Sequence, residues 1–120
     1  MVDATFDDRD GFIWFDGALR PWRDANVHVL THAMHYASAV FEGERAYGGV
    51  IFRLDDHTRR LHESARLLGF EIPYSVEAIN KACQELIHRQ GHPDAYGRPI
   101  SWRGRELMCV SAQHNRITTP

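Results

Sequence analysis

The chain has 120 residues, 43% hydrophobic and 25% charged, with a formal net charge of −2 and two cysteines. Such a length suits one domain around one core, and the composition is ordinary for a globular protein. The charge offers no footprint for nucleic acid or an acidic membrane, the longest apolar runs are far too short to span a bilayer, and Cys83 and Cys109 neither build a disulfide framework nor fit a zinc pattern. The opening stretch, MVDATFDDRDG, is acidic and polar, the reverse of a secretory signal, so a cytoplasmic protein with reduced thiols is expected.

In chain order, FIWFDGALRPW (12–22) reads as a hairpin with Asp16-Gly17 as its two-residue turn and a short return strand ending before Pro21. From Asn26 to Ala39 the period changes: Val29, Ala33, Tyr36 and Val40 are three or four apart and predict a short helix ending near FEGE. ERAYGGVIFR (44–53) is a second hairpin turning at Gly48-Gly49. The clearest helix follows, with Leu54, Thr58, Leu61, Ala65 and Leu68 on one face, Asp55 able to cap its start and Gly69 suited to its stop. Ser75 caps another helix that turns Val76, Ile79, Cys83, Leu86 and Ile87 inward and closes at Gly91. AYGRPISWRG and LMCVSA then predict two strands joined by a turn at Arg103 to Glu106. The order implies an α+β, or mixed α/β, single domain over 1–120 with two main helices and an antiparallel or mixed sheet. The chain stops at NRITTP, just after a predicted strand, and an interrupted chain is the expectation.

Three groupings carry chemistry. His28, His32 and His35 lie at i, i+4 and i+7, one stripe if helical, but no HExxH carboxylate accompanies them, and ring donors at a helix–sheet edge are the plainer reading. His57 and His62, five apart, share no helix face and read as surface or packing residues. Arg53, Arg59, Arg60 and Arg66 stand among acids, the usual mark of a solvated, ion-paired face. Arg60, next to the inward Leu61, could instead turn its planar fork toward two oxygens of a phosphate. In AYGRP, Tyr96 and Arg98 fall on the same side of a strand, where a phenol beside a guanidinium would suit a carboxylate. GGV at 48–50 is not a phosphate loop, and no Ser or Cys stands in a nucleophile elbow.

From FIWFDGALRPWRDANVHVLTHAMHYASAVFEGERAYGGVIFRLDDHTRRLHESARLLGF through AYGRPISWRGRELM to VSAQHNRI, the sequence resembles the N-terminal domain of branched-chain amino-acid aminotransferases, pyridoxal-phosphate enzymes of fold type IV. D-amino-acid aminotransferases and aminodeoxychorismate lyases are the near competitors, and the wording HYASAVFEG is similar to the branched-chain group. The resemblance implies that Arg60 holds the phosphate of pyridoxal 5′-phosphate and that Tyr96 and Arg98 meet the carboxylates of the amino or 2-oxo acid, Arg98 chiefly the distal one of glutamate. It implies that Tyr36 and Phe41 wall the side-chain pocket. It further implies that Val110 reaches a partner subunit's pocket, so that the family enzyme is at least a homodimer. The reaction so implied moves the amino group of leucine, isoleucine or valine to 2-oxoglutarate.

In that family the Schiff-base lysine lies beyond position 120, and the one lysine here, Lys81, falls on the exposed side of a predicted helix. No residue of the chain is therefore assigned the catalytic role, and the expectation is an incomplete transaminase. The alternative is a non-catalytic remnant or a binding or dimerising module. Gly97 stands where the family has a branched apolar residue, which should weaken the strand by roughly 1 kcal/mol. Cys109 stands where the family has Gly.

Overall fold

The structure, a computed structural model, describes residues 5–106 and 115–120. Strands β1 (Phe12–Phe15) and β2 (Ala18–Pro21) pair antiparallel, with Phe15 opposite Ala18. Asp16 and Gly17 both take positive φ, 50° and 95°, as a tight hairpin matched to strand twist requires. A single 3₁₀ turn at Trp22–Asp24 follows.

The helix predicted over 26–39 is confined to α1, His32–Tyr36. Ala37 turns left-handed at φ 56° and donates its N–H to Ala33, so the chain leaves the helix before Val40. The apparent stripe was never one face: Val29 and Tyr36 are exposed, while Val40 is buried in a strand.

Strands β3 (Ala39–Phe41), β4 (Glu44–Tyr47) and β5 (Val50–Ile51) lead into helices α2 (Leu54–Leu67) and α3 (Val76–Gln90), followed by β6 (Ala95–Gly97), β7 (Ile100–Arg103) and β8 (Ile117–Thr118). All pairings among the described residues are antiparallel, in the orders β3-β7-β8 and β5-β4-β6 beside the β1-β2 hairpin. AYGRPISWRG thus serves two sheets instead of one strand, and the NRITTP tail holds β8, which pairs with Trp102 and Arg103. LMCVSA lies outside the described residues.

The two three-stranded sheets share one register. Phe41 opposes Ile100, Glu42 donates its backbone N–H to Pro99 at 3.0 Å, and Glu44 opposes Gly97. Pro99 has no N–H to return, so the ladder breaks there and the strand pair divides into two sheets.

Helix α2 turns Leu54, Thr58, Leu61 and Ala65 inward, as its spacing predicts, while Leu68 lies past the last turn and is exposed. Asp55 is not its cap. Arg53 occupies that position at φ 54° without a side-chain bond, and Asp55, inside the first turn, accepts from Arg59 at 2.7 Å and Asn80 at 3.2 Å. Ser75 caps α3 as predicted, its Oγ accepting the Ala78 N–H at 3.1 Å, and Gly91 closes it at φ 70°. Val40, Leu61, Ala65, Phe70, Ile72 and Ile79 form the core, with Tyr74, Cys83 and Ile117 packed against it. Gln90 exchanges two hydrogen bonds with the Phe12 backbone, pinning the first hairpin to the end of α3.

Leu61 has no exposed surface, so Leu61→Ala should destabilise the chain by about 2–5 kcal/mol, against about 1 kcal/mol for Ser75→Ala. Denaturant midpoints of the two variants check this ranking.

Candidate functional site

The break in the ladder is where the charged groups gather. Residues opposite each other in an antiparallel pair share a face, and successive residues alternate faces. Phe41, Gly43 and Arg45 therefore stand outward with Tyr96 and Arg98, while Glu42, Glu44 and Ala46 turn inward, and burial follows the same alternation.

On the outward face, the Arg98 guanidinium carbon lies 3.8 Å from the centre of the Phe41 ring, a cation–π stack. The Tyr96 hydroxyl sits against Gly43: a Cβ on that glycine would come within 2.7 Å of it, so a larger residue here would require the phenol to shift. Arg45 lies directly across from Tyr96 and is exposed, a second cation on this face.

On the inward face, Glu42 is only 4% exposed yet ionised. Its Oε2 accepts from Arg60 Nε at 2.8 Å, and its Oε1 accepts from Arg60 Nη2 at 2.7 Å and lies 2.7 Å from His57 Nδ1. The Arg60 bonds, seconded by His57, hold the Glu42 carboxyl below its ordinary pKa in spite of burial. Arg60 itself is 67% exposed. Glu42 engages its Nε–Nη2 edge and leaves the Nη1–Nη2 edge outside that pair, and two parallel donors on such an edge have the geometry that grips two oxygens of a phosphate or carboxylate.

Glu44, two residues on, is also buried but forms no ion pair among the described residues. Cys83 bonds one of its oxygens, and Oε2 has no partner among the described residues. Burial pushes its pKa up, and burial beside it pushes the Cys83 thiol up as well. Gly97 is explained by this neighbour, since a Cβ there would lie 3.2 Å from Glu44 Cγ. The glycine makes room for a buried carboxyl.

Tyr36 stacks on His32, ring centres 4.5 Å apart, and is not brought to Phe41 by any ring contact among the described residues. Val110 and Cys109 lie outside the described residues. The three-histidine stripe does not form: His28 precedes the helix and accepts from Leu30 N–H, His32 meets Ser38, and His35 meets the Val29 carbonyl. His57 and His62 pack, the latter's two nitrogens facing the carbonyls of Thr58 and Tyr74. Arg53, Arg59 and Arg66 form exposed pairs with Asp56, Asp55 and Glu63, as the charge pattern predicts. Lys81 is exposed on α3. Sequence reasoning gave no part in the site to Glu42, Glu44, His57 or Arg45. The alternation from 41 to 47 was the available signal for Arg45, whereas the Glu42 partners come from an element remote in sequence. A cleft of about 680 Å³ between Phe15, Arg20, Tyr74, Trp102 and Arg116 includes none of Phe41, Arg60, Tyr96 or Arg98.

An α+β domain thus brings an arginine edge, a phenol and a second arginine to one strand break. Residues 39–119 match the amino-transferase class IV family, and the chain belongs to that family. It is 49% identical over 114 residues to the branched-chain-amino-acid aminotransferase of Pseudomonas aeruginosa, covering 92% of this chain and 37% of that protein. It is 52% identical over 99 residues to the probable branched-chain-amino-acid aminotransferase of Rickettsia bellii, covering 82% and 34%. The crystal structure of the branched-chain aminotransferase of Escherichia coli superposes with a TM-score of 0.88 at 35% identity, over 92% of this chain and 38% of that one. The branched-chain aminotransferase of the archaeon Thermoproteus uzoniensis, solved with norvaline, gives 0.86 at 32%, over 92% and 39%. The chain spans about a third of the length of the curated relatives it matches.

A carboxyl with a raised folded-state pKa holds a proton on folding that the unfolded chain releases. Its penalty is absent below the ordinary carboxylate pKa, grows as pH rises toward the folded value, and is constant above it. Glu44→Gln should therefore match the unaltered chain in stability at low pH and exceed it at neutral pH, as read from thermal midpoints across that range.

Proposed function

We propose that this chain supplies the phosphate- and carboxylate-holding wall of a pyridoxal-phosphate-dependent aminotransferase acting on branched-chain amino acids and 2-oxoglutarate. The observation that carries this reading is that three consecutive residues, Phe41, Glu42 and Gly43, gather Arg98, Arg60 and Tyr96 respectively. The names of the relatives support amino-group transfer on branched-chain amino acids.

When bound, the cofactor supplies an electron sink for the amino acid's α-carbon. Arg60 holds its phosphate through the Nη1–Nη2 edge. Tyr96 and Arg98 bind substrate carboxylates, and Arg98 takes the distal one when the substrate is a dicarboxylate. The Phe41 ring gives that cation a partner when the substrate side chain is apolar, when an unpaired cation in an apolar pocket would be costly. Phe41 and Tyr36 line the space for a branched side chain. Lys81, on the outer face of α3, does not hold the cofactor. Val110 completes the pocket of a partner subunit in a homodimer, and the exposed apolar run of Val29, Leu30, Met34 and Tyr36 supports self-association.

Pyridoxine 5′-phosphate, which lacks the reactive aldehyde, isolates the phosphate contact. Arg60→Gln should weaken its binding by about tenfold or more, with no change for pyridoxine, as expected for a charge-assisted hydrogen-bond pair, and Lys81→Arg should leave both unchanged. Equal calorimetric affinities for the two compounds in the unaltered chain would refute the assignment. Sedimentation equilibrium tests the homodimer: Met34→Glu, at a residue 67% exposed, should shift the chain toward monomer.

A further inference from the structure

We propose that Glu42 is a positioning residue that aims the phosphate-holding edge of Arg60. This rests on Arg60 as the phosphate ligand and states what the Glu42 contact does for its binding of the anion.

An exposed arginine samples many rotamers, and each must be relinquished when an anion is gripped. Arg60 is 67% exposed, yet two of its nitrogens are fixed at 2.7 and 2.8 Å on a carboxylate that is itself 4% exposed. That carboxylate is immobilised in turn. His57 Nδ1 lies 2.7 Å from Oε1, the Glu42 backbone N–H is bound to Pro99 O at 3.0 Å, and Phe41 is in the ladder opposite Ile100. The guanidinium is a rigid plane, so fixing the Nε–Nη2 edge also fixes where the Nη1–Nη2 edge points. Arg60 therefore meets an anion with its orientation already set by the strand break.

Glu42 acts on an anion in two opposed ways. Its negative charge lies close to the anion's position and repels it, whereas its hold on Arg60 removes the ordering cost of binding. As a mere counter-charge, Glu42 would weaken binding and its neutralisation would strengthen it. As a positioning residue, its loss weakens binding although the site becomes more positive.

The test is a double-mutant cycle on the 120-residue chain, read as calorimetric affinity for pyridoxine 5′-phosphate and for pyridoxine. Glu42→Gln should weaken the phosphate compound on the order of tenfold and leave pyridoxine unchanged. Glu42→Gln combined with Arg60→Gln should bind no worse than Arg60→Gln alone, because Glu42 acts only through Arg60. Unchanged or tighter phosphate binding in Glu42→Gln overturns the proposal, as do additive losses in the double variant. Glu42→Asp, which keeps the charge but shortens the reach, is judged by the same outcomes if Glu42→Gln fails to fold. If Arg60→Gln itself binds like the unaltered chain, the phosphate assignment fails and the positioning role falls with it. A loss in Arg60→Gln with none in Glu42→Gln overturns the positioning role and leaves the phosphate assignment standing.

Discussion

The missing N–H of Pro99 is the constraint from which the site follows. Residues 39–47 and 95–103 run antiparallel in one register, and a regular ladder would carry them as one flat pair. Proline cannot donate, so the ladder is interrupted where Glu42 meets Pro99, and the strands part into two sheets on either side of Glu42-Gly43. At such a break side chains meet groups that a continuous sheet would deny them. Phe41 receives a guanidinium, Glu42 reaches α2, and Gly43 leaves space for a phenol.

The inward face carries two carboxylates with opposite fates. Glu42 has Arg60 and His57 within hydrogen-bonding distance and stays ionised. Glu44, one strand repeat later, meets a thiol and the bare backbone of Gly97, and burial favours its neutral form. The difference lies in which helix each faces: α2 offers Arg60 and His57 at this level, and α3 offers Cys83. Two acids close together in sequence thus become one electrostatic anchor and one buried, protonatable group.

Much of the scaffold was legible from residue order. Asp16-Gly17 and Gly48-Gly49 mark hairpins because their backbones admit positive φ, and the period from Leu54 to Ala65 marks α2 because the same side chains are buried. Ser75 and Gly91 bracket α3 by chemistry that operates within a few residues. The reading failed where local pattern competed with tertiary packing. The Val29–Val40 spacing imitates a helix, but Val40 belongs to a sheet; Asp55 resembles a cap, but the helix begins one residue before it.

By itself the sequence determined the family, the α+β class, the two helices with their inward faces, and the candidate residues Arg60, Tyr96 and Arg98, because motif spacing, hydrophobic period and turn chemistry are properties of neighbours along the chain. Only the tertiary structure decided what those residues do together. Glu42 and Arg60 are eighteen positions apart, and Gly97 opposes Glu44 across the ladder from the far side of both helices. Which edge of a guanidinium is occupied, and whether a carboxyl keeps its charge, depends on solvent exclusion and on partners brought in by folding, and neither is encoded in any short stretch of residues.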